Sequence, residues 1–250
     1  MVVLISGASA GFGKAIAQKF IKEGHQVIAL ARREHELKEL QNKLGEKCQI
    51  IVSDVNDTDY IAQAIQNLPK NFQNIDVLVN NAGLALGLEP ANKANIKDWE
   101  MMIMTNIYAL AKLTHLLLPQ MVARKKGHII NLGSIAGTYP YPGGNVYGAT
   151  KAFVKQFSLN LRADLYDKNI RVSNIEPGLC GGSEFSLVRF KGDKTKANEV
   201  YKNTQPLLPQ DIAQAVWWVV SLPEHVNINR LEIMPTTQAP AALNVAKTKK

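Results

Sequence analysis

An α/β fold is predicted: a doubly wound, seven-stranded parallel sheet with helices on both faces, in a single domain. Three observations carry this. Short apolar runs alternate with helical stretches along most of the chain. A glycine-rich turn joins the first apolar run to the first helical pattern. At 250 residues and 46% hydrophobic content, the chain has the size of one undivided α/β domain with a sizeable core.

The apolar run Val2-Val3-Leu4-Ile5 opens the order as a strand, and the stretch after Gly13 reads as a helix to residue 22. Further strands are expected near residues 27–31, 49–53, 77–80, 128–132, 171–175 and 231–234. Helices are expected between them, near 36–44, 58–67, 98–124, 145–165 and 210–221. Right-handed crossovers then place ligands at the carboxyl ends of the strands. Residues 1–235 form the domain. Within it, residues 179–209 are irregular and read as a partly helical lid, because long loops in compact domains are usually functional. Residues 236–250 read as a loosely held tail with lysines at 247, 249 and 250.

Composition narrows the function classes. The balance of 29 basic against 21 acidic residues gives +8. The cations are spread along the chain, with no long basic run interleaved with aromatics, so a solvated surface is favoured over a nucleic-acid face. Salt-sensitive binding to polyanions would support the other view. Two cysteines, Cys48 and Cys180, make no disulfide framework and suit a reducing cytosol. The five histidines lack metal-ligand spacing, so no metal is expected. No leader and no apolar run of 18 residues is apparent, which points to a soluble, cytoplasmic protein.

The chemistry centres on Tyr147 and Lys151, four apart and hence on one helix face, with Ser134 thirteen residues upstream of the tyrosine. An ammonium beside a phenol favours the phenolate, and a hydroxyl can hold a substrate oxygen there. The unit suits moving a proton on or off an alcohol. Alone, such a pair usually belongs to an ordinary amphipathic helix. The N-terminal turn gives it weight: Gly7, Gly11 and Gly13, with Ser9, Ala10 and Phe12 between, precede a helix N-terminus that can face a pyrophosphate. The other reading of those glycines is a tight turn needing positive φ.

Together these motifs resemble the short-chain dehydrogenase/reductase family. The resemblance runs over roughly residues 2–235, through Gly7/Gly11/Gly13, Asp54-Val55, Asn80-Asn81-Ala82-Gly83, Asn106, Ser134, Tyr147 with Lys151, and Pro177-Gly178. Segments 80–90, 143–161, 184–193 and 225–229 are similar, more narrowly, to its bacterial NADP-dependent 3-hydroxy acid dehydrogenases. The resemblance implies a Rossmann-like fold, NADP as cofactor and a homotetramer, with a tail able to reach a neighbouring subunit. Arg32-Arg33 after the second strand, where NAD-preferring relatives commonly place an acid, suits a 2′-phosphate. The alternative is a solvated pair opening a helix.

Other roles are likewise implied. Asp54 and Val55 would meet the adenine, and Asn81, Ala82 and Gly83 the adenosine ribose. A capping Asp and a conformational turn are the competing readings. Asn106 would distort its helix and relay protons through a water to Lys151, which grips the nicotinamide ribose. Pro177, Gly178, Leu179 and Cys180 would approach the nicotinamide, with Ser183 as the downstream hydroxyl. Cys180 reads from the residues as a small packer with no paired base. Trp217-Trp218 reads as core and subunit interface. The implied substrates are serine, L-allo-threonine, 3-hydroxypropionate and malonic semialdehyde. Arg189 and Lys191, in the lid, are the cations available to a carboxylate. A general carbonyl reductase and a non-catalytic NADP-sensing protein are the alternatives, the second opposed by the intact Ser134, Tyr147 and Lys151.

Overall fold

The computed structural model describes residues 1–240. Seven strands form one parallel sheet: β1 (Val2–Ser6), β2 (Gln26–Ala31), β3 (Cys48–Val52), β4 (Val77–Asn80), β5 (Gly127–Leu132), β6 (Ile170–Pro177) and β7 (Arg230–Ile233). Their spatial order is β3-β2-β1-β4-β5-β6-β7. The direction of winding reverses between β1 and β4, which opens a crevice at their carboxyl ends.

Ten helices connect the strands among the described residues: α1 (Gly11–Lys22), α2 (Glu34–Leu44), α3 (Thr58–Gln66), α4 (Lys70–Gln73), α5 (Ile96–Ile103), α6 (Leu110–Ala123), α7 (Asn145–Leu165), α8 (Phe185–Arg189), α9 (Lys194–Glu199) and α10 (Pro209–Ser221). The strands are apolar at successive positions because both faces are covered. In β1, Val3 and Ile5 join Phe20, Leu37 and Val216 on one face. Val2 and Leu4 join Ile61, Leu113 and Leu161 on the other. Phe20 is fully buried, edge-on to Trp217 at 5.5 Å between centroids, which locks α1 to α10. Truncating such a residue to alanine costs about 3–5 kcal/mol.

Four features depart from the sequence expectations. The helix that periodicity predicts across 98–124 is interrupted at the place where the family resemblance implied a distortion by Asn106: Met104–Ala109 winds as a π-helical turn between α5 and α6. Buried Asn106 sits in that turn and hydrogen-bonds a neighbouring loop, so the backbone widens there. That composite helix, Ile96–Ala123, is also long and apolar enough by length and hydropathy to cross a bilayer. Its Met102, Leu113, Leu117 and Met121 are instead buried in the protein's core. Helix α4 was not expected; its one turn buries Phe72. Finally, the expected tail is anchored at its start. Gln238 is buried, and its Oε1 accepts from the Leu179 amide at 2.7 Å. The expectation of a lysine cluster and of subunit reach for the tail falls on residues 241–250, outside the described residues.

Candidate active site

The glycine turn lies where β1 meets the β1/β4 crevice. Gly7 has φ +68°, and a Cβ there would stand 3.0 Å from the Ala82 Cα. A Cβ on Gly13 would stand 2.6 Å from Asn81 Nδ2, so α1 starts hard against the turn. Gly11, at φ +50°, faces Ser183, whose Cβ would be 3.2 Å from an added Cβ. Buried Ser6 accepts from the amides of Asn81 and Ala82, each at 3.0 Å. The Asn81 side chain donates to Ser6 O at 2.9 Å and Gly7 O at 3.2 Å, so it braces the turn. The first turn of α1 carries no acidic residue, which leaves its dipole uncompensated by carboxylates.

The two arginines after β2 diverge. Arg33 donates from Nε and Nη2 to Ser9 Oγ at 3.2 Å and forms an ion pair with Glu184 at 2.9 Å. Ser9, Gly11, Lys14, Arg33, Ser183 and Glu184 line one groove. Arg32 is 74% exposed and only 3.7 Å from Asp54. Asp54 caps its own turn through Asn56 N at 2.9 Å, and Val55 packs partly buried against the core. A dinucleotide phosphate fits this geometry. The backbone is bare where a Cβ would obstruct, a helix N-terminus faces the opening, and Arg33, Ser9 and Lys14 supply donors.

Beyond the crevice, α7 carries Tyr147 and Lys151, both buried, on one face. Ser134 follows β5, lies near enough to Tyr147 to lower its phenol, and accepts at Oγ from Ala136 N at 3.1 Å. Lys151 Nζ donates to Leu132 O at 2.7 Å and lies 5.9 Å from the Tyr147 ring centroid. Asn106 donates to Leu84 O at 2.8 Å and to Thr150 Oγ1 at 3.1 Å. A Cβ on Gly83 would stand 3.2 Å from Asn106 Oδ1 and 3.5 Å from Lys151 Nζ, so the backbone there runs beside both.

The electrostatics differ from the sequence expectation that Lys151 lowers the tyrosine. Burial pushes the Tyr147 phenol up to about 12, against lowering influences from Arg189 and Ser134. Burial also brings the Lys151 amine down to about 8. The ammonium is turned to a carbonyl, and its charge is not among the leading influences on Tyr147.

The segment expected to act as a lid, residues 179–209, separates the two predicted cations. Arg189 lies over Tyr147, its guanidinium carbon 5.2 Å from the ring centroid, and also faces Phe185 at 5.4 Å and Tyr141 at 5.7 Å. Its Nη2 donates to the Tyr141 hydroxyl, and its buried Nε has no partner. Lys191 turns away and pairs with Asp98 at 2.8 Å. At the lid's base, Gly178 N donates to Ile233 O at 2.8 Å and Leu207 N to Leu179 O at 3.0 Å. Pro177 is buried at the end of β6. Cys180 is partly buried, with its thiol pushed up to about 12 by burial, which suits packing. Ser183 meets the groove rather than Tyr147. Trp217 packs in the core and Trp218 is exposed. Asn227, from the segment 225–229, is taken up by β6 through Val172 N at 2.8 Å.

Several contributors escaped the sequence reading: Tyr141, Phe185 and Thr150 around Tyr147, and Lys14 and Glu184 at the groove. Lys14 had a signal, since it follows Gly13 in the first turn of α1. The others meet the site only through the packing of separate segments.

A parallel sheet with a glycine cradle at its switch point, and a Ser–Tyr–Lys cluster beside it, define a dinucleotide-dependent oxidoreductase architecture. The short chain dehydrogenase family model matches residues 1–189, and the chain belongs to that family. It is 58% identical over 245 residues to the NADP-dependent 3-hydroxy acid dehydrogenase YdfG of Escherichia coli (strain K12), covering 98% of this chain and 99% of that protein. The closed form of serine dehydrogenase complexed with NADP+ is similar with TM-score 0.95 and 57% identity, over 99% of this chain and 100% of that one. The serine dehydrogenase from Escherichia coli matches with TM-score 0.85 and 52% identity, over 96% and 100%.

Proposed function

We propose that this protein interconverts small 3-hydroxy acids and their 3-oxo counterparts with NADP(H). Serine, L-allo-threonine and 3-hydroxypropionate are the alcohols, and malonic semialdehyde is a reverse substrate. The kinship to 3-hydroxy acid and serine dehydrogenases supports the class. One observation in this chain carries the acid: Arg189 stands over Tyr147 with no carboxylate paired to it among the described residues. A cation held against three aromatic rings without a counter-ion favours an anionic ligand.

NADP, when bound along the cradle and Arg33, supplies the hydride chemistry. The rest falls to the chain. In oxidation Tyr147 first loses its own proton along the Thr150–Asn106 path, then as phenolate takes the proton from the substrate hydroxyl, while Ser134 holds that oxygen by donating to it. Lys151, held by Leu132 O beside Tyr147, would help hold the nicotinamide ribose. Asn106, linked to Thr150 and thence to the Tyr147 carbonyl at 2.8 Å, sets the proton path beside Lys151. Arg189 takes the substrate carboxylate and orients the hydroxyl toward Tyr147. In reduction Tyr147 returns the proton.

The test compares kcat/KM for 3-hydroxypropionate with that for 1,3-propanediol, using NADP. The acid is expected to be preferred, and Arg189→Ala to cut that preference roughly ten- to hundredfold. Lys191→Ala should leave it within about twofold, because its charge is satisfied by Asp98. A preference for the diol would move the reading to a general carbonyl reductase.

The protein works as a homotetramer in the cytoplasm, without nucleic acid or membrane. Exposed Met101, Met104, Tyr108, Phe153 and Trp218 give it apolar surface to bury between subunits. Free Cys48 and Cys180 suit a reducing compartment. Light scattering that returned a monomer at micromolar concentration would refute the tetramer.

A further inference from the structure

The geometry points to Tyr141 as the residue that sets acid specificity, by positioning Arg189 and offering a second donor to the substrate carboxylate. This rests on the reading of Arg189 given above.

Tyr141 lies in the turn between β5 and α7, six residues before Tyr147. Its hydroxyl accepts a hydrogen bond from Arg189 Nη2, and its ring lies 5.7 Å from the guanidinium carbon. A phenol that accepts from a guanidinium keeps its own O–H proton free to donate. Arg189 Nε is buried and unpaired, so this side chain has donor capacity that the protein leaves unused. Tyr141 also stands close enough to Tyr147 that its own negative charge would disfavour the Tyr147 phenolate. The two phenols and the guanidinium therefore share one small space, walled by Phe185 and Leu86.

The local sequence is shaped to seat this ring. A Cβ on Gly144 would stand 2.8 Å from the Tyr141 ring, so glycine makes room for it. Gly143 has φ +77° and its α-hydrogen side faces the Leu88 backbone, where a Cβ would come within 2.7 Å of the carbonyl carbon. The Gly143-Gly144 pair thus folds the turn against the loop after β4 and points Tyr141 at the lid. Arg189 alone is a flexible cation at the end of a five-residue helix. With Tyr141 it becomes a fixed fork. A substrate carboxylate, with two oxygens, can then take one bond from the guanidinium and one from the phenol. The hydroxyl of an uncharged alcohol accepts only a single, weaker bond there, without the carboxylate's charge and second oxygen.

The experiment uses the full chain with NADP and the pair 3-hydroxypropionate and 1,3-propanediol. Tyr141→Phe keeps the ring and removes only the hydroxyl. It should raise KM for the acid about tenfold relative to the diol, with any change in kcat shared by the two substrates. Gly144→Ala, which crowds the ring without touching its hydroxyl, should shift the same ratio in the same direction. Equal loss on acid and diol, or no loss on the acid, would overturn the inference. The Arg189→Ala comparison separates the two levels. If Arg189→Ala abolishes acid preference and Tyr141→Phe leaves it unchanged, Arg189 stands and Tyr141 falls. If Arg189→Ala keeps the preference, the anchor reading fails and the role of Tyr141 fails with it.

Discussion

The glycine cradle and the buried cup around Tyr147 are built by opposite strategies. The cradle is mostly backbone, shaped by Gly7, Gly11 and Gly13, with cations half exposed at its rim. Its parts come from strand ends that the sheet already places side by side. The cup is made of buried side chains, Tyr147, Lys151 and Asn106, closed by Arg189 and Phe185 from the lid. Backbone donors hold an anion without large pKa changes. Buried side chains have theirs moved, to about 12 for Tyr147 and about 8 for Lys151. The difference teaches that a backbone cradle can stay open to solvent, whereas a dry cup shifts the titration of the side chains that form it.

The sharpest break in that contrast is expected at Tyr147. Tyr147→Phe should lower turnover roughly 10²- to 10⁴-fold while NADPH titrated by fluorescence binds as before. Near-normal turnover would remove the proton-transfer role. Next in size is the cradle. Arg33→Ala should weaken NADPH roughly ten- to hundredfold and NADH little, while Arg32→Ala should cost less than about threefold. Equal losses for the two cofactors would place the 2′-phosphate elsewhere.

Lys151 probes the cost of the dry cup. Its pKa is lowered from 10.5 to about 8 by burial. Below about pH 8 it is charged both folded and unfolded, and the fold carries the full desolvation penalty. Between about 8 and 10.5 the unfolded chain binds more protons, so stability from this group rises with pH. Lys151→Met should therefore abolish activity yet gain on the order of 1–2 kcal/mol at pH 7, after the lost bond to Leu132 O is counted. Urea melts should show that gain shrinking as pH rises through the window; a constant difference would rule burial out as the cause.

The smallest effect joins the two regions. Glu184 ties the lid to Arg33 at 2.9 Å, but both side chains are partly exposed, 52% and 41%. Glu184→Gln should speed NADPH dissociation by less than about fivefold at low salt. In about 1 M salt the variant and the parent should converge, since the screening length is then ~3 Å. Stopped-flow release that differs equally at both salts would mean the contact acts by shape rather than charge.

Local rules were sufficient for the elements with one strong signal. The apolar run at residues 2–5, the glycines after it and the Tyr147–Lys151 spacing each identify their element from a few neighbours. The same rules read 98–124 as one helix, because nothing nearby reveals that Asn106 reaches across to Leu84 and Thr150. They also read Gln238 as tail, since its partner, Leu179, lies fifty-nine residues away.

What the amino-acid order alone determined is the αβ alternation, the family's motif ladder and the chemical types at the site. Periodicity and glycine placement act over a few residues, so they are legible without a fold. Only the tertiary structure decided which cation faces the cup. Arg189 and Lys191 are two residues apart and equally charged in sequence. The short helix α8 ends between them, and Lys191 takes a positive φ of 52°, so the chain turns Arg189 inward over Tyr147 and Lys191 outward to Asp98. Likewise the pKa of Tyr147 follows from how deeply its helix is buried and from where the Lys151 ammonium points, and both are properties of packing.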